Sequence, residues 1–268
     1  MKIDLSGFHA FITGGSSGFG FEMAKTLLSH GATVAIAARG GDKLDKSYET
    51  LKKEGFDIYA RAMDVRDEES VAEAAKWYGE NFDKLDMLIN NAGIGNLGIN
   101  KGTTENPSPF YEIDTSAFYN IVNTNFIGYF LVARAFVPLI LKNGKGRVVN
   151  VSTSIRTMTA PGQLPYGPAR AAAEAMSTII GDELKDKGIT VNILLPGGAS
   201  NTGFVPEDKR AEFESRGLLP ASILNEPILF LASERAEGMT GERIIAKDFK
   251  QWLEEKHIED WIMEVSPY

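Results

Sequence analysis

The stretch from His9 to Gly31 holds the residues whose types and spacing first suggest chemistry. Ala10, Phe11 and Ile12 form a short apolar run; Gly14, Gly15, Gly18 and Gly20 follow; then Phe21, Ala24, Leu27 and Leu28 recur at helical spacing until Gly31. A strand, a glycine-rich turn and a helix in that order can hold a diphosphate. Backbone without Cβ atoms approaches the phosphates closely, and the N–H groups and dipole at the helix start attract their charge. The spacing is Gly-x-x-x-Gly-x-Gly, not the commoner Gly-x-Gly-x-x-Gly. From this segment alone, a purely structural join between strand and helix fits as well.

The elements that must position this corner alternate along the whole chain. Apolar strands are expected at Thr33 to Ala38, Asp57 to Met63, Leu85 to Asn90, Gly146 to Ser152, Ile189 to Leu195 and Arg243 to Ala246. Between them lie helical patterns at Lys43 to Glu54, Glu68 to Phe82, Ser116 to Leu141 and Tyr166 to Lys187. Such alternation predicts a parallel sheet covered by helices on both faces, with ligands outside the carboxyl ends of the strands. The fold class is therefore α/β and doubly wound, with seven strands. No linker, repeat or low-complexity tract divides residues 1–268, so one domain is expected. Residues 247–268 add a tail in which Trp252, Leu253, Ile258, Trp261 and Ile262 suggest amphipathic packing. Two stretches without periodicity, Ile94 to Pro109 and Gly197 to Pro220, follow strands at the ligand-facing end and suit lids.

The totals narrow the function. The chain has 268 residues, 43% hydrophobic and 24% charged, enough for a full core. A net charge of -8 argues against nucleic acid or an anionic membrane as partner. No apolar run is expected to span a membrane, and no secretory leader is recognised, so a cytoplasmic protein is anticipated. Zero cysteines exclude disulfides and thiolate chemistry. His9, His30 and His257 are scattered, so no metal site is expected.

An ordered series runs along the chain: Thr13 to Gly20, Asp64-Val65, Asn90-Asn91-Ala92-Gly93, Asn125, Tyr166 and Pro196-Gly197. With this series the chain resembles the short-chain dehydrogenase/reductase family, from about residue 5 to residue 246. The resemblance implies a single-domain Rossmann fold that transfers hydride between a nicotinamide cofactor and a carbonyl or alcohol. It implies that Gly14, Ser16, Ser17, Gly18, Phe19 and Gly20 cradle the diphosphate and that Asp64 and Val65 meet the adenine. Asn91, Ala92 and Gly93 would line the cleft, and Pro196 and Gly197 would face the nicotinamide. Thr202 would close on the carboxamide or phosphates, although it lies one residue later than the usual Pro-Gly-x-x-x-Thr spacing.

Cofactor choice turns on the end of the second strand. An acidic residue there would bond the ribose hydroxyls and repel a 2′-phosphate. This chain has Ala37-Ala38-Arg39, and Arg39 offers a permanently charged fork suited to phosphate. NADP(H) is thus favoured, with NAD(H) the alternative.

The resemblance makes Tyr166 the acid/base. A free tyrosine titrates near pH ~10, so a neighbouring cation is needed to favour its phenolate. Relatives place lysine four residues later, one helical turn away on the same face; here that residue is Arg170. Arginine keeps the charge and can bond ribose hydroxyls, but it stays protonated and cannot itself pass a proton. The hydroxyl that holds the substrate carbonyl falls on Thr153, thirteen residues before Tyr166, with Ser154 the alternative. Asn125 would bond a water between the active-site cation and solvent, where its helix opens locally.

Three functions compete. The first is an NADP(H)-dependent carbonyl reductase or alcohol dehydrogenase acting on a small molecule. The second is a nucleotide-binding regulator or scaffold that has lost turnover through Arg170. The third, a sugar-nucleotide epimerase of the extended type, is opposed by the glycine spacing and the lack of an added substrate domain. Loop residues Ile155, Arg156, Met158, Gln163, Ser200, Asn201, Phe204, Val205 and the charged run Glu207 to Arg210 leave the substrate open among a polyol, a keto acid and an apolar ketone. The helices at Ser116 to Leu141 and Tyr166 to Lys187 resemble those that pair in family dimers, so a homodimer or homotetramer is expected.

Overall fold

A computed structural model describes residues 3–96, 107–205, 210–215, 217–258 and 261. Seven parallel strands form one sheet in the order β3-β2-β1-β4-β5-β6-β7. The strands are β1 (His9–Thr13), β2 (Thr33–Ala38), β3 (Ile58–Ala62), β4 (Met87–Asn90), β5 (Gly146–Val151), β6 (Ile189–Leu195) and β7 (Arg243–Ile245). Their register is strictly parallel, with Ile12 opposite Ile36 on one side of β1 and Ile89 on the other. The continuous apolar runs in β1, β4 and β6 are buried on both faces, as helices above and below a parallel sheet require. The order reverses between β1 and β4, which opens a crevice at the carboxyl ends of those strands.

Helices α1 (Gly18–Ser29) and α2 (Asp42–Lys53) lie beside the first strands, and α3 (Glu68–Asn81) leads to β4. The expected helix from Ser116 is one continuous stack with a wider turn inside it. It comprises α4 (Thr115–Val122), a π turn (Asn123–Ile127) and α5 (Gly128–Leu141). Contrary to the expectation from sequence, Thr115–Leu141 is long and apolar enough to cross a membrane by length and composition. Val132, Phe136 and Ile140 instead pack on the sheet, Phe136 against Phe11 with ring centroids 4.1 Å apart. After β5 come α6 (Ile155–Thr159), which was not foreseen, and α7 (Tyr166–Leu184). A buried polar chain fixes α7 to the sheet: Asn90 donates to Asn150 (2.8 Å), Asn150 to Ser177 (2.7 Å), and Ser177 to the Ala173 carbonyl.

Between β6 and β7 stand α8 (Arg210–Ser215) and α9 (Asn225–Ala232), followed after β7 by α10 (Phe249–Glu255). The tail packs on its own chain. Phe230 of α9 is ringed edge-on by Phe249 (5.7 Å), Trp252 (5.6 Å) and Trp261 (5.0 Å). Leu253 is buried and Ile258 packs on the same cluster, while Ile262 lies outside the described residues. Aromatic edge-to-face pairs of this kind add to the apolar area they bury. Phe230→Ala is expected to lower unfolding free energy by about 3–5 kcal/mol in a denaturant titration. Native tryptophan emission should shift to the red as Trp252 and Trp261 lose their cover.

Candidate active site

The glycine turn joins β1 to α1 at the crevice. Thr13 anchors it from below, its Oγ1 accepting from the backbone N–H groups of Asn91 and Ala92, each at 3.0 Å. Asn91 returns the bond, its Nδ2 donating to the carbonyls of Thr13 (2.9 Å) and Gly14 (3.2 Å). Gly14 and Gly20 therefore sit against the Asn91–Ala92 corner. Gly18 is left-handed, with φ +54°, and a Cβ there would lie 3.2 Å from the Cβ of Thr202. Ser17 caps α1 without a side-chain hydrogen bond, so the first N–H groups of the helix face the crevice unclaimed by a cap. Ser16 is tied to α2 through its carbonyl, which accepts from Ser47 at 2.9 Å, and Phe19 packs on the core beneath.

At the far end, Arg39 follows β2 and is exposed. It lies near enough to Asp64 to help hold that carboxyl below the ordinary range; the hydrogen bonds from Arg66 are the main cause. Arg66 grips Asp64 through Nε (3.0 Å) and Nη2 (2.5 Å). Val65 is buried against Gly128 at the start of α5. Lys43, which the sequence reading passed over, reaches from α2 to Gly203 beside Thr202; its Nζ is 3.9 Å from the position of a Gly203 Cβ.

The centre of the crevice holds Tyr166 and Arg170, brought to one side of α7 by their four-residue spacing. Arg170 is 2% exposed. Its Nη1 donates to the Tyr129 hydroxyl (2.7 Å) and the Val151 carbonyl (3.0 Å). Its guanidinium carbon lies 5.2 Å from the Tyr129 ring and 5.5 Å from the Tyr166 ring. Burial pulls this guanidinium toward losing its proton, but the phenols of Tyr129 and Tyr166 outweigh that and hold it charged. Arg170 Nε is buried with no partner. A Cβ on Gly93 would collide with Arg170 Nη2, so the residue at 93 sets how far the arginine extends.

Thr153 and Ser154 follow β5. Ser154 is engaged as the cap of α6: its Oγ accepts from the Thr157 N–H (3.1 Å) and bonds Thr157 Oγ1 (2.9 Å). The Thr153 hydroxyl has no hydrogen bond among the described residues. Its carbonyl accepts from Arg243 Nη2 (2.7 Å), and Arg243 Nε donates to Glu174 of α7 (2.9 Å). Asn125 is fully buried in the π turn, and its amide is used on Ile94, accepting from its N–H (2.9 Å) and donating to its carbonyl (2.8 Å). Pro196 is buried, its carbonyl accepting from the Lys247 N–H, and Gly197 is left-handed, with φ +91°. Phe204 stands edge-on to Tyr166, ring centroids 6.4 Å apart, with Gly95 behind it. Glu207, Asp208 and Lys209 of the expected substrate loop lie outside the described residues, as do 97–106 of the other. No group of His, Asp or Glu among the described residues could hold a metal ion.

Sequence reasoning missed Tyr129, Arg243 and Glu174. Tyr129 reads as one more apolar residue of a core helix, and Arg243 and Glu174 are distant in sequence and meet only across the sheet.

The short chain dehydrogenase family model matches residues 8–212. A 2,5-dichloro-2,5-cyclohexadiene-1,4-diol dehydrogenase of Sphingobium indicum is 31% identical over 245 residues, 88% of this chain and 93% of that protein. A 3-oxoacyl-[acyl-carrier-protein] reductase of Vibrio harveyi is 30% identical over 250 residues, 90% of this chain and 96% of that one. Among solved structures, a dehydrogenase/reductase from Sinorhizobium meliloti superposes with a TM-score of 0.79 at 25% identity, covering 91% of this chain and 95% of the other. The seven-stranded Rossmann-like sheet, the matched family model and these relatives together show that the chain belongs to the short-chain dehydrogenase/reductase family of oxidoreductases.

Proposed function

We propose that this chain, acting as one dinucleotide-binding domain, interconverts a carbonyl and a secondary alcohol with NADP(H), and that Tyr166 is the acid/base. The observation that carries the reading is the buried Arg170 guanidinium 5.5 Å from the Tyr166 ring. The residues suit a nicotinamide dinucleotide. An open helix start faces the glycine turn, and a buried Arg170 Nε lacks a partner where ribose hydroxyls would lie. The bound nicotinamide supplies or accepts the hydride. In reduction, Tyr166 gives its hydroxyl proton to the substrate oxygen while Thr153, whose hydroxyl is uncommitted, holds that oxygen in place. The fixed charge of Arg170 stabilises the oxygen of Tyr166 once its proton has left. Because Arg170 stays protonated, Tyr166 must regain its proton by a route that does not change the charge of the guanidinium. The reading as a regulator without turnover rested on Arg170 replacing lysine. With the guanidinium placed beside Tyr166, the enzyme reading is the better supported.

NADP(H) is favoured over NAD(H) by charge. No carboxylate stands at the end of β2, Arg39 is exposed at that position, and Lys43 adds a cation beside Gly203. The relatives named as a diol dehydrogenase and an oxoacyl reductase support the alcohol–carbonyl pair. The exposed Tyr119, Phe130 and Ile179 of α4, α5 and α7 support association of copies through these helices, as a dimer or tetramer.

Tyr166→Phe is expected to lower kcat about 10²–10⁴-fold against a carbonyl panel while NADPH binding persists in a fluorescence titration. Turnover near that of the unmodified chain would remove Tyr166 from the mechanism. Arg39→Glu should weaken NADPH by roughly 10–100-fold, the worth of one or two charge-assisted bonds, and leave NADH nearly unchanged. Equal KM changes for the two cofactors would overturn the preference.

A further inference from the structure

The arginine that stands for lysine solves one problem and makes another. A guanidinium on a three-methylene arm has many rotamers, and holding one of them costs entropy. Burying it without a carboxylate is costly unless its N–H groups and its charge are otherwise met. Among the described residues, no carboxylate contributes to the charge balance of Arg170. Its surroundings are two phenol rings, one phenol oxygen and one backbone carbonyl.

We propose that Tyr129 is the positioning residue that fixes Arg170, and so sets the charge that serves Tyr166; this rests on the oxidoreductase reading above. The Tyr129 hydroxyl donates to the Val151 carbonyl at 3.0 Å, at the end of β5. With its proton committed there, its lone pairs face Arg170 Nη1 at 2.7 Å. The same Val151 carbonyl also receives Nη1, closing a three-membered cluster of Tyr129, Arg170 and the strand end. The Tyr129 ring adds a π face on one side of the guanidinium, and Tyr166 supplies the other. One edge of Arg170 is thus spoken for by Tyr129, which leaves Nη2 against Gly93 and Nε without a partner. Tyr129 is fully buried, and burial raises its pKa, so it remains a neutral anchor and carries no proton through the cycle.

The identity of residue 170 and that of residue 129 are therefore coupled. A lysine ammonium has no fork with which to touch both Tyr129 and the cleft. Removing the Tyr129 hydroxyl matters while residue 170 is arginine and matters little when it is lysine.

The test is a double-mutant cycle on the full chain with Tyr129→Phe, Arg170→Lys and the pair. Each protein is measured for kcat and KM with NADPH and one active carbonyl, for NADPH dissociation constant by fluorescence titration, and for Tm. Tyr129→Phe is expected to lower kcat about tenfold and to weaken NADPH several-fold, the worth of one charge-assisted hydrogen bond, with carbonyl KM unchanged. In the Arg170→Lys background, the same change should alter either quantity by less than about twofold. Independent effects that multiply in the pair would overturn the proposal, as would a Tyr129→Phe protein with altered Tm alone. Were the oxidoreductase reading itself wrong, no carbonyl would be reduced by the unmodified chain. The NADPH titrations would then still report coupling, or its absence, between positions 129 and 170.

Discussion

The site is arranged around a buried positive charge that no carboxylate among the described residues balances. Arg170 would be an expensive residue in an apolar cleft, yet three parts of the fold converge on it. The end of β5 supplies a carbonyl, α5 supplies Tyr129, and the loop after β4 supplies a glycine at 93 with room for Nη2. Each of these has to be in place before the guanidinium can be, so the charge acts as a check on the assembly of the cleft. Asn125 completes the constraint from the π turn by bonding both polar groups of the Ile94 backbone, next to Gly93. The wider turn in Thr115–Leu141 is what lets a side chain inside a helix reach across to a loop in this way.

A second set of bonds keeps the nucleotide corner in step with this charge. Thr13 and Gly14 accept four hydrogen bonds from Asn91 and Ala92, so the glycine turn and the Gly93 loop cannot move apart. On the other side of β4, Asn90 passes through Asn150 to Ser177 on α7. The amide donors of this chain are matched, while Asn90 Oδ1 is left without a partner. The glycine corner and the helix that carries Tyr166 are in this way referred to the same strand.

Much of this was legible in the sequence because period and glycine spacing are local signals. The seven strands, their parallel pairing and the placing of Tyr166 and Arg170 on one helical face follow from patterns a few residues long. What was not legible depends on contacts between distant segments. Helix α9 is buried on nearly all sides, so it shows no polar stripe and no clear period. The stretch Thr115–Leu141 looks fit for a membrane for the same reason, until the sheet is seen to cover its apolar side. Tyr129 looks like core because it is core; only the partner of its hydroxyl distinguishes it from a phenylalanine. The hold of Asn125 on the Ile94 backbone was hidden differently, since no pattern in the sequence says that Ile94 will present its backbone there.

The neighbouring residues Thr153 and Ser154 show what the fold adds to spacing. Both hydroxyls follow β5. Helix α6 takes Ser154 as its cap, because the first turn of a helix needs an acceptor for its free N–H groups. Arg243 then secures the remaining candidate from behind, holding the Thr153 carbonyl while its Nε is paired with Glu174. That ion pair is only partly exposed, 25% and 16% on its two side chains, so it is screened less than a surface pair. Glu174 lies two helical turns beyond Tyr166 on α7, and one arginine from the edge strand β7 thus connects the backbone of Thr153 to the helix that carries the phenol.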